Sequence, residues 1–158
     1  MQRILLVILL FTLSAEAQHK PGPEIKATAG WVGFIDEDWI DHTVVGGSAR
    51  FYLTTRLGVE PEVLYMIGPG SDRDVTVIPQ LSFDFAAREK VRPYVIGGVG
   101  WMHHSQKIGP MRFTNNEWVG NGGVGVKFFL TPRLFVAPEF RIGFETILRA
   151  TGSIGFTF

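Results

Sequence analysis

The 158-residue sequence predicts an all-β fold, an eight-stranded antiparallel up-and-down transmembrane β-barrel. Three observations predict it: alternation with period two between turn residues, charge confined to one face of each strand, and aromatic residues at both strand ends. A net charge of zero without a basic tract excludes the positive footprint on which nucleic-acid binders rely. The absence of cysteine excludes disulfide scaffolds and thiolate zinc sites.

The first 17 residues contain the three parts of a secretory signal peptide. Gln2 and Arg3 give a short positive start, residues 4–13 an apolar stretch, and residues 15–17 a small-x-small cleavage site. A spanning helix needs about 20 apolar residues, about twice the length of this stretch, so a membrane anchor is disfavoured. We expect a signal peptide at residues 1–17, a short tail at 18–23 and the barrel at 24–158.

The barrel segment divides into eight predicted strands of 10 to 12 residues each. They are expected at residues 24–34, 44–53, 57–66, 75–85, 91–101, 118–129, 134–144 and 148–158. A tilted strand needs about 9–11 residues to cross a bilayer, whereas strands of soluble sheets usually have about 5–6. Short turns at 54–56, 86–90 and 130–133 alternate with connections at 35–43, 67–74, 102–117 and 145–147. This arrangement predicts both termini in the periplasm and the longer loops at the cell surface.

The two faces of the predicted strands differ sharply in polarity. One face is free of charge along all eight strands, and the other alternates charged residues with small polar ones. Because unpaired charges in a narrow lumen would cost several kcal/mol each, we expect these charges to pair inside the barrel. For instance, Glu60 or Glu62 is expected to pair with Arg141 or Arg149 and so to fill the lumen. The predicted interior network comprises Lys26, Arg50, Glu60, Glu62, Asp84, Arg92, Lys127, Glu139, Arg141 and Arg149.

Aromatic residues of the uncharged face gather at the two ends of the strands, as expected for girdles at the headgroups of a bilayer. One girdle comprises Trp31, Tyr65, Trp101, Trp118 and Phe144, and the other Phe51, Phe85, Phe128 and Phe158. Four prolines depart from the barrel pattern, because each removes a donor from a closed sheet. We expect bulges or locally weak pairing at Pro61, Pro79, Pro93 and Pro138.

Three segments carry a resemblance to the small outer-membrane β-barrel family of the OmpA and OmpX type: residues 92–101 (RPYVIGGVGW), 122–126 (GGVGV) and 138–141 (PEFR). The resemblance extends over the whole chain after the predicted signal peptide. It implies a monomeric barrel in outer-membrane lipid, with a structural or surface-interaction role, no catalysis, no cofactor and no metal. It also implies that the outer-membrane assembly machinery reads the last strand through Ile154, Phe156 and Phe158.

Two other functions remain open from the sequence. His103 and Ser105, followed by Glu117, resemble the motif of the lipid A deacylases, with His103 as base, Ser105 as nucleophile and Glu117 as orienting group. Gln106 and Lys107 depart from that motif, and three strands follow it here instead of one. The other alternative is a soluble lipocalin-like carrier of small ligands, which would require the apolar face to point inward.

Acidic residues cluster in the first predicted loop, at residues 36–38 and at Asp41 beside His42. Their oxygens are ligands that a divalent cation accepts, but the spacing fits no EF-hand. We therefore expect a solvated acidic loop here and no metal site.

Overall fold

The computed structural model describes residues 20–158 except 36–38, 87–88 and 145–146. The described residues form eight antiparallel strands that close into a barrel in chain order, with the last strand paired to the first. The fold class and the number of strands are as predicted, whereas the expected signal peptide lies outside the described residues. The strands are β1 (Glu24–Ile35), β2 (Trp39–Tyr52), β3 (Leu57–Ile67), β4 (Arg73–Asp84), β5 (Val91–Ile108), β6 (Met111–Phe129), β7 (Leu134–Gly143) and β8 (Ile147–Thr157).

The predicted loop at residues 102–117 is instead a continuation of the β5–β6 hairpin. Pairing runs without interruption from Trp101 opposite Trp118 to Ile108 opposite Met111, and the turn passes through Gly109 with a φ of 62°. β2 likewise begins at Trp39, inside the predicted loop 35–43. Most residues of the β5–β6 extension are polar, so no regular apolar alternation marks it in the sequence, although backbone pairing continues.

The prolines interrupt pairing without adding a residue to a strand. Pairing with one neighbouring strand is interrupted at three prolines: with β2 at Pro61, with β5 at Pro79 and with β6 at Pro138. At Pro93, by contrast, pairing with β6 is continuous. The expectation of bulges or locally weak pairing is therefore confirmed, in the form of weak pairing, at three of the four prolines and is wrong at Pro93. The register is the same on both sides of each interruption. The interruption at Pro61 lies between the pairs Ser48–Glu62 and Phe51–Val59. The one at Pro79 lies between Val77–Trp101 and Gln80–Gly98, and the one at Pro138 between Gly125–Glu139 and Phe128–Val136.

The apolar face of the sheet points outward. Val63, Ile142 and Ile154 expose 51%, 56% and 53% of their surface, whereas Glu62 and Arg141 expose 2% and 1%. A soluble carrier would show the opposite arrangement, so the lipocalin-like interpretation is wrong. Among the described residues, no helix is long and apolar enough to cross a membrane.

The aromatic residues of both predicted girdles lie on this outward face. Trp101 and Trp118 meet edge to face across the β5–β6 ladder, with ring centroids 5.3 Å apart. Phe156 and Phe158 form a similar edge contact at the opposite end of the barrel, at 5.3 Å. Trp31 is half-buried, and the other predicted girdle residues are exposed: Tyr65, Trp101, Trp118, Phe144, Phe51, Phe85, Phe128 and Phe158.

Candidate functional site

The lumen holds the buried polar groups of the barrel, arranged in layers. Nearest the termini, the Lys127 ammonium donates to Glu24 Oε2 at 2.6 Å, to the Tyr52 hydroxyl at 2.9 Å and to Asp84 Oδ2 at 3.3 Å. Arg50 Nη1 donates to Asp84 Oδ1 at 2.8 Å. Two cations and two carboxylates thus balance around one phenol. Beside them lies an apolar cluster of Tyr94, Ile96, Phe135 and Ala137.

A second layer spans the middle of the lumen. Arg149 binds Glu62 with both terminal nitrogens, at 2.9 Å and 3.2 Å, and Arg141 Nη2 donates to the same carboxylate at 3.0 Å. Arg141 also pairs with Glu139, which accepts a hydrogen bond from the Tyr94 hydroxyl at 2.7 Å. Strands β3, β5, β7 and β8 are therefore linked across the axis. A separate ion pair joins Lys26 to Glu60, whose Oε1 also accepts from Ser48 Oγ at 2.8 Å.

The structure brings nine of the ten predicted network residues together in these layers and leaves out Arg92. That side chain is half-buried, stacks over the Phe129 ring at 4.1 Å and donates from Nε to the Glu89 carbonyl at 3.0 Å. Glu24, which the prediction omitted, occupies the layer instead. With Glu24 in place of Arg92, the network contains five acidic and five basic residues instead of the predicted four and six. Charge neutrality was the signal that would have pointed to Glu24.

Beyond the second charged layer, the lumen is apolar. Val32, Val44, Leu64 and Met66 form one cluster, and a neighbouring one of Ile78, Met102 and Val119 shares Phe34 with it. A cavity of about 30 Å³ remains between these clusters and the Arg141 and Arg149 side chains. That volume is enough to hold a water molecule. Strands β1 and β3 are thus apolar on both faces toward this end, a pattern visible in the sequence but missing from the prediction.

At the far mouth of the lumen lie two histidines and two aspartates. His42 Nε2 is 3.1 Å from Asp72 Oδ2 and 3.5 Å from Asp74 Oδ2. His104 Nδ1 contacts Asp74 Oδ1 and lies 3.5 Å from Asp72 Oδ1. His42 is therefore buried in a strand and is not part of a solvated acidic loop, which corrects the prediction for this residue; residues 36–38 lie outside the described residues.

The candidate hydrolase residues do not converge. His103 and Ser105 are on the outer side of β5, and His103 Nδ1 hydrogen-bonds Asn116 Oδ1 at 2.7 Å. Glu117 pairs opposite Met102, which is buried on the inner side of the sheet. The proposed orienting carboxylate therefore faces away from the proposed base, and the triad interpretation lacks its geometry.

The last strand places the predicted assembly residues on the outer face. Ile154 is exposed, Phe156 is half-buried and Phe158 is exposed. The Phe158 amide donates to the Pro23 carbonyl at 3.0 Å, so the segment before β1 lies beside the end of β8. Recognition of these residues by the assembly machinery stays a prediction.

Comparisons with known proteins agree with the barrel architecture. The family model described as "Outer membrane protein beta-barrel domain" matches residues 4–149. A search of curated protein sequences found no match.

Among solved structures, the N-terminal β-barrel domain of Pseudomonas aeruginosa OprF is similar, with a TM-score of 0.72 and 17% identity over 89% of this chain and 100% of that one. Neisserial surface protein A gives a TM-score of 0.77 and 12% identity over 87% and 97% of the two chains. The outer membrane enzyme PagL gives 0.57 and 14% over 85% and 99%. At these identities the likeness shows the fold alone.

Proposed function

The chain belongs to the outer membrane protein beta-barrel domain family, and from this premise we propose that it is a non-conducting barrel with a structural or surface-interaction role. The observation that carries the proposal is the arginine pair on Glu62. Arg141 and Arg149 both reach this carboxylate across the lumen, at 3.0 Å and 2.9 Å.

Closure of the lumen is supported at three depths. The layer around Lys127 and the layer around Glu62 each join opposite walls through ion pairs. The apolar clusters above them leave a cavity of only about 30 Å³ beside the Arg141 and Arg149 side chains. A small eight-stranded barrel is generally just wide enough for its side chains to fill it. We therefore expect the barrel to be impermeable to solutes.

The surface-interaction part of the proposal rests on the β5–β6 hairpin. Its two strands continue past Trp101 and Trp118 to the turn at Gly109. The hairpin therefore extends as a paired ribbon beyond the aromatic girdle. Met111 and Phe113 are exposed on this ribbon. Exposed apolar side chains on this paired ribbon offer contact surface to a partner outside the membrane.

Conductance in planar bilayers tests the closed lumen. The protein should give no steady openings, because ion pairs cross the lumen at two depths. The double variant Glu62→Ala with Arg149→Ala removes the central pair and should permit flickering openings. The matched control Arg92→Met lies outside the network and should behave like the unaltered protein. Large, steady openings of the unaltered protein would refute the proposal.

We also propose that the protein does not hydrolyse lipid acyl chains, because Glu117 and His103 face opposite sides of the sheet. Lipid A would be extracted from cells producing the protein or its Ser105→Ala variant and analysed by mass spectrometry. Both samples should retain the same acyl chains as cells without the protein. Loss of a chain that depends on Ser105 would establish the hydrolase instead.

For the orientation, we propose both termini in the periplasm, with the protein as a monomer. The sequence contains no cysteine, so single cysteines report their own accessibility. Cysteine introduced at Gly109 or Gly70, in the turns far from the termini, should react with an impermeant maleimide on intact cells. Cysteine at Thr55 or Thr131, in the opposite turns, should react only after the outer membrane is opened. The reverse labelling pattern would invert the orientation.

A further inference from the structure

We propose that His42, Asp72, Asp74 and His104 bind one divalent transition metal ion, of the Zn²⁺ class, at the outer mouth of the lumen. Separately placed elements supply them: His42 lies on β2, Asp72 on the β3–β4 turn, Asp74 on β4 and His104 on β5. Imidazole nitrogen and carboxylate oxygen together are a ligand set suited to zinc.

The ligand atoms of His42, Asp72 and Asp74 are spaced as one tetrahedral ion requires, and His104 contacts the other oxygen of each carboxylate. Bonds of about 2.0–2.1 Å place tetrahedral ligands about 3.3 Å apart. His42 Nε2 lies 3.1 Å from Asp72 Oδ2 and 3.5 Å from Asp74 Oδ2. His104 Nδ1 lies 3.5 Å from Asp72 Oδ1. One nitrogen or oxygen from each of His42, Asp72 and Asp74 lies within 4.8 Å of the others, before any side chain adjusts to an ion.

A buried oxygen points to a missing ligand. Asp72 is 6% exposed, and its Oδ1 accepts no hydrogen bond from the residues that the structure describes, although His104 Nδ1 lies 3.5 Å away. A buried carboxylate oxygen without a partner costs free energy unless a cation or a donor satisfies it. When Asp72 and Asp74 are both ionised, a divalent ion between them would balance their two negative charges.

The local backbone leaves room for the ligands. The turn from Gly68 to Asp72 is closed by hydrogen bonds from Gly68 N to Asp72 O at 3.1 Å and from Asp72 N to Pro69 O at 3.2 Å. A Cβ at Gly68 would lie 2.3 Å from His42 Nε2 and 2.9 Å from Asp72 Oδ2. Glycine at this position therefore keeps the proposed ligand atoms free of contact with the turn.

The proposed site is open to the outside on one side, and an ion bound there would join three strands. His42 is buried against the edge of the Phe34 ring, with centroids 4.9 Å apart, whereas His104 is about one-third exposed and opens the site to the outside. An ion held by all four residues would fasten β2, β4 and β5 together at the base of the projecting hairpin.

The test uses protein purified from membranes in detergent without a histidine tag, titrated with Zn²⁺ by calorimetry. One ion should bind per chain, and Co²⁺ should give the intense visible absorption of tetrahedral coordination. His104→Gln and Asp72→Asn should each weaken Zn²⁺ binding at least about tenfold, the minimum effect seen even for groups that only support a ligand. Gly68→Ala should also weaken it, because the added methyl group meets His42 Nε2.

The matched control is His103→Gln. His103 neighbours His104 in the chain but faces outward and bonds Asn116, so its loss should leave Zn²⁺ affinity unchanged. Mobility on unboiled gels verifies that each variant forms a closed barrel; if Asp72→Asn does not fold, His104→Gln at the partly exposed position carries the comparison. The proposal fails if less than half an ion binds per chain, if folded His104→Gln binds like the unaltered protein, or if His103→Gln loses as much affinity as His104→Gln.

Discussion

Glu62 on β3 and Arg149 on β8 form a bidentate ion pair across the lumen. Arg149 Nη1 lies 2.9 Å from Glu62 Oε1, and Arg149 Nη2 lies 3.2 Å from Glu62 Oε2. The parallel geometry of a guanidinium and a carboxylate makes this one of the stronger kinds of hydrogen-bonded pair. Because Arg141 shares the same carboxylate, loss of Glu62 removes an ion-pair partner from both arginines at once.

Replacing Glu62 with Gln should therefore destabilise the barrel by about 3–5 kcal/mol, since two buried guanidinium groups lose their shared partner. Unfolding by urea in lipid vesicles measures the change. Glu89→Gln is the control at an exposed site and should change stability by less than about 0.5 kcal/mol. A loss below about 1 kcal/mol for Glu62→Gln would show that the arginines find other partners or water.

The two arginines at the terminal end of the barrel should differ strongly. Arg50 is buried and pairs with Asp84 at 2.8 Å, so Arg50→Met should cost about 3–5 kcal/mol by leaving the carboxylate underpaired. Arg92→Met removes a stacking contact on Phe129 at a half-buried site and should cost about 1 kcal/mol or less. If both variants lost the same free energy of unfolding in urea, Arg92 would have to belong to the interior network after all.

Alternation along the strands was sufficient to predict the barrel and most of the interior charges, because in a closed sheet parity decides which face a residue occupies. Parity fails at strand ends. Glu24 is the first residue of β1 and Arg92 the second of β5, both on the inward parity, yet the glutamate reaches Lys127 and the arginine turns onto Phe129. The charge balance of the network favours the glutamate, and the packing of neighbouring side chains decides where the arginine turns.

The histidine and aspartate cluster was beyond sequence reasoning for a different reason. His42 and His104 are 62 positions apart in the sequence, and their approach depends on the register of β2, β3, β4 and β5 together. Asp72 and Asp74 stand two positions apart and share a face, but this spacing alone is common at strand starts. The extended β5–β6 hairpin was missed as well, because it lacks the apolar alternation that lipid imposes.

Only glycine should fit at position 125, because the Tyr94 ring occupies the space that a side chain would need. A Cβ there would lie 2.4 Å from Tyr94 Cζ, and Tyr94 is held by its hydrogen bond to Glu139 at 2.7 Å. Gly125→Ala should cost about 1–3 kcal/mol through overpacking. Gly152→Ala meets nothing within 4 Å and should cost nothing measurable. The comparison is made by urea unfolding, and similar values for both variants would mean that Tyr94 moves freely.

A charge on the outer face should be costly in proportion to its depth in the bilayer. Val124 is exposed on β6 between the girdle residues Trp118 and Phe128, so Val124→Arg would place a guanidinium in hydrocarbon at a cost of about 2–4 kcal/mol. Met111→Arg, at the far end of the projecting hairpin, should cost less than about 0.5 kcal/mol because water surrounds that position. Unfolding in lipid vesicles compares the two variants. Equal costs would contradict the placement of the girdles, whereas a large difference that shrinks in thinner bilayers would identify hydrocarbon as the solvent of the outer face.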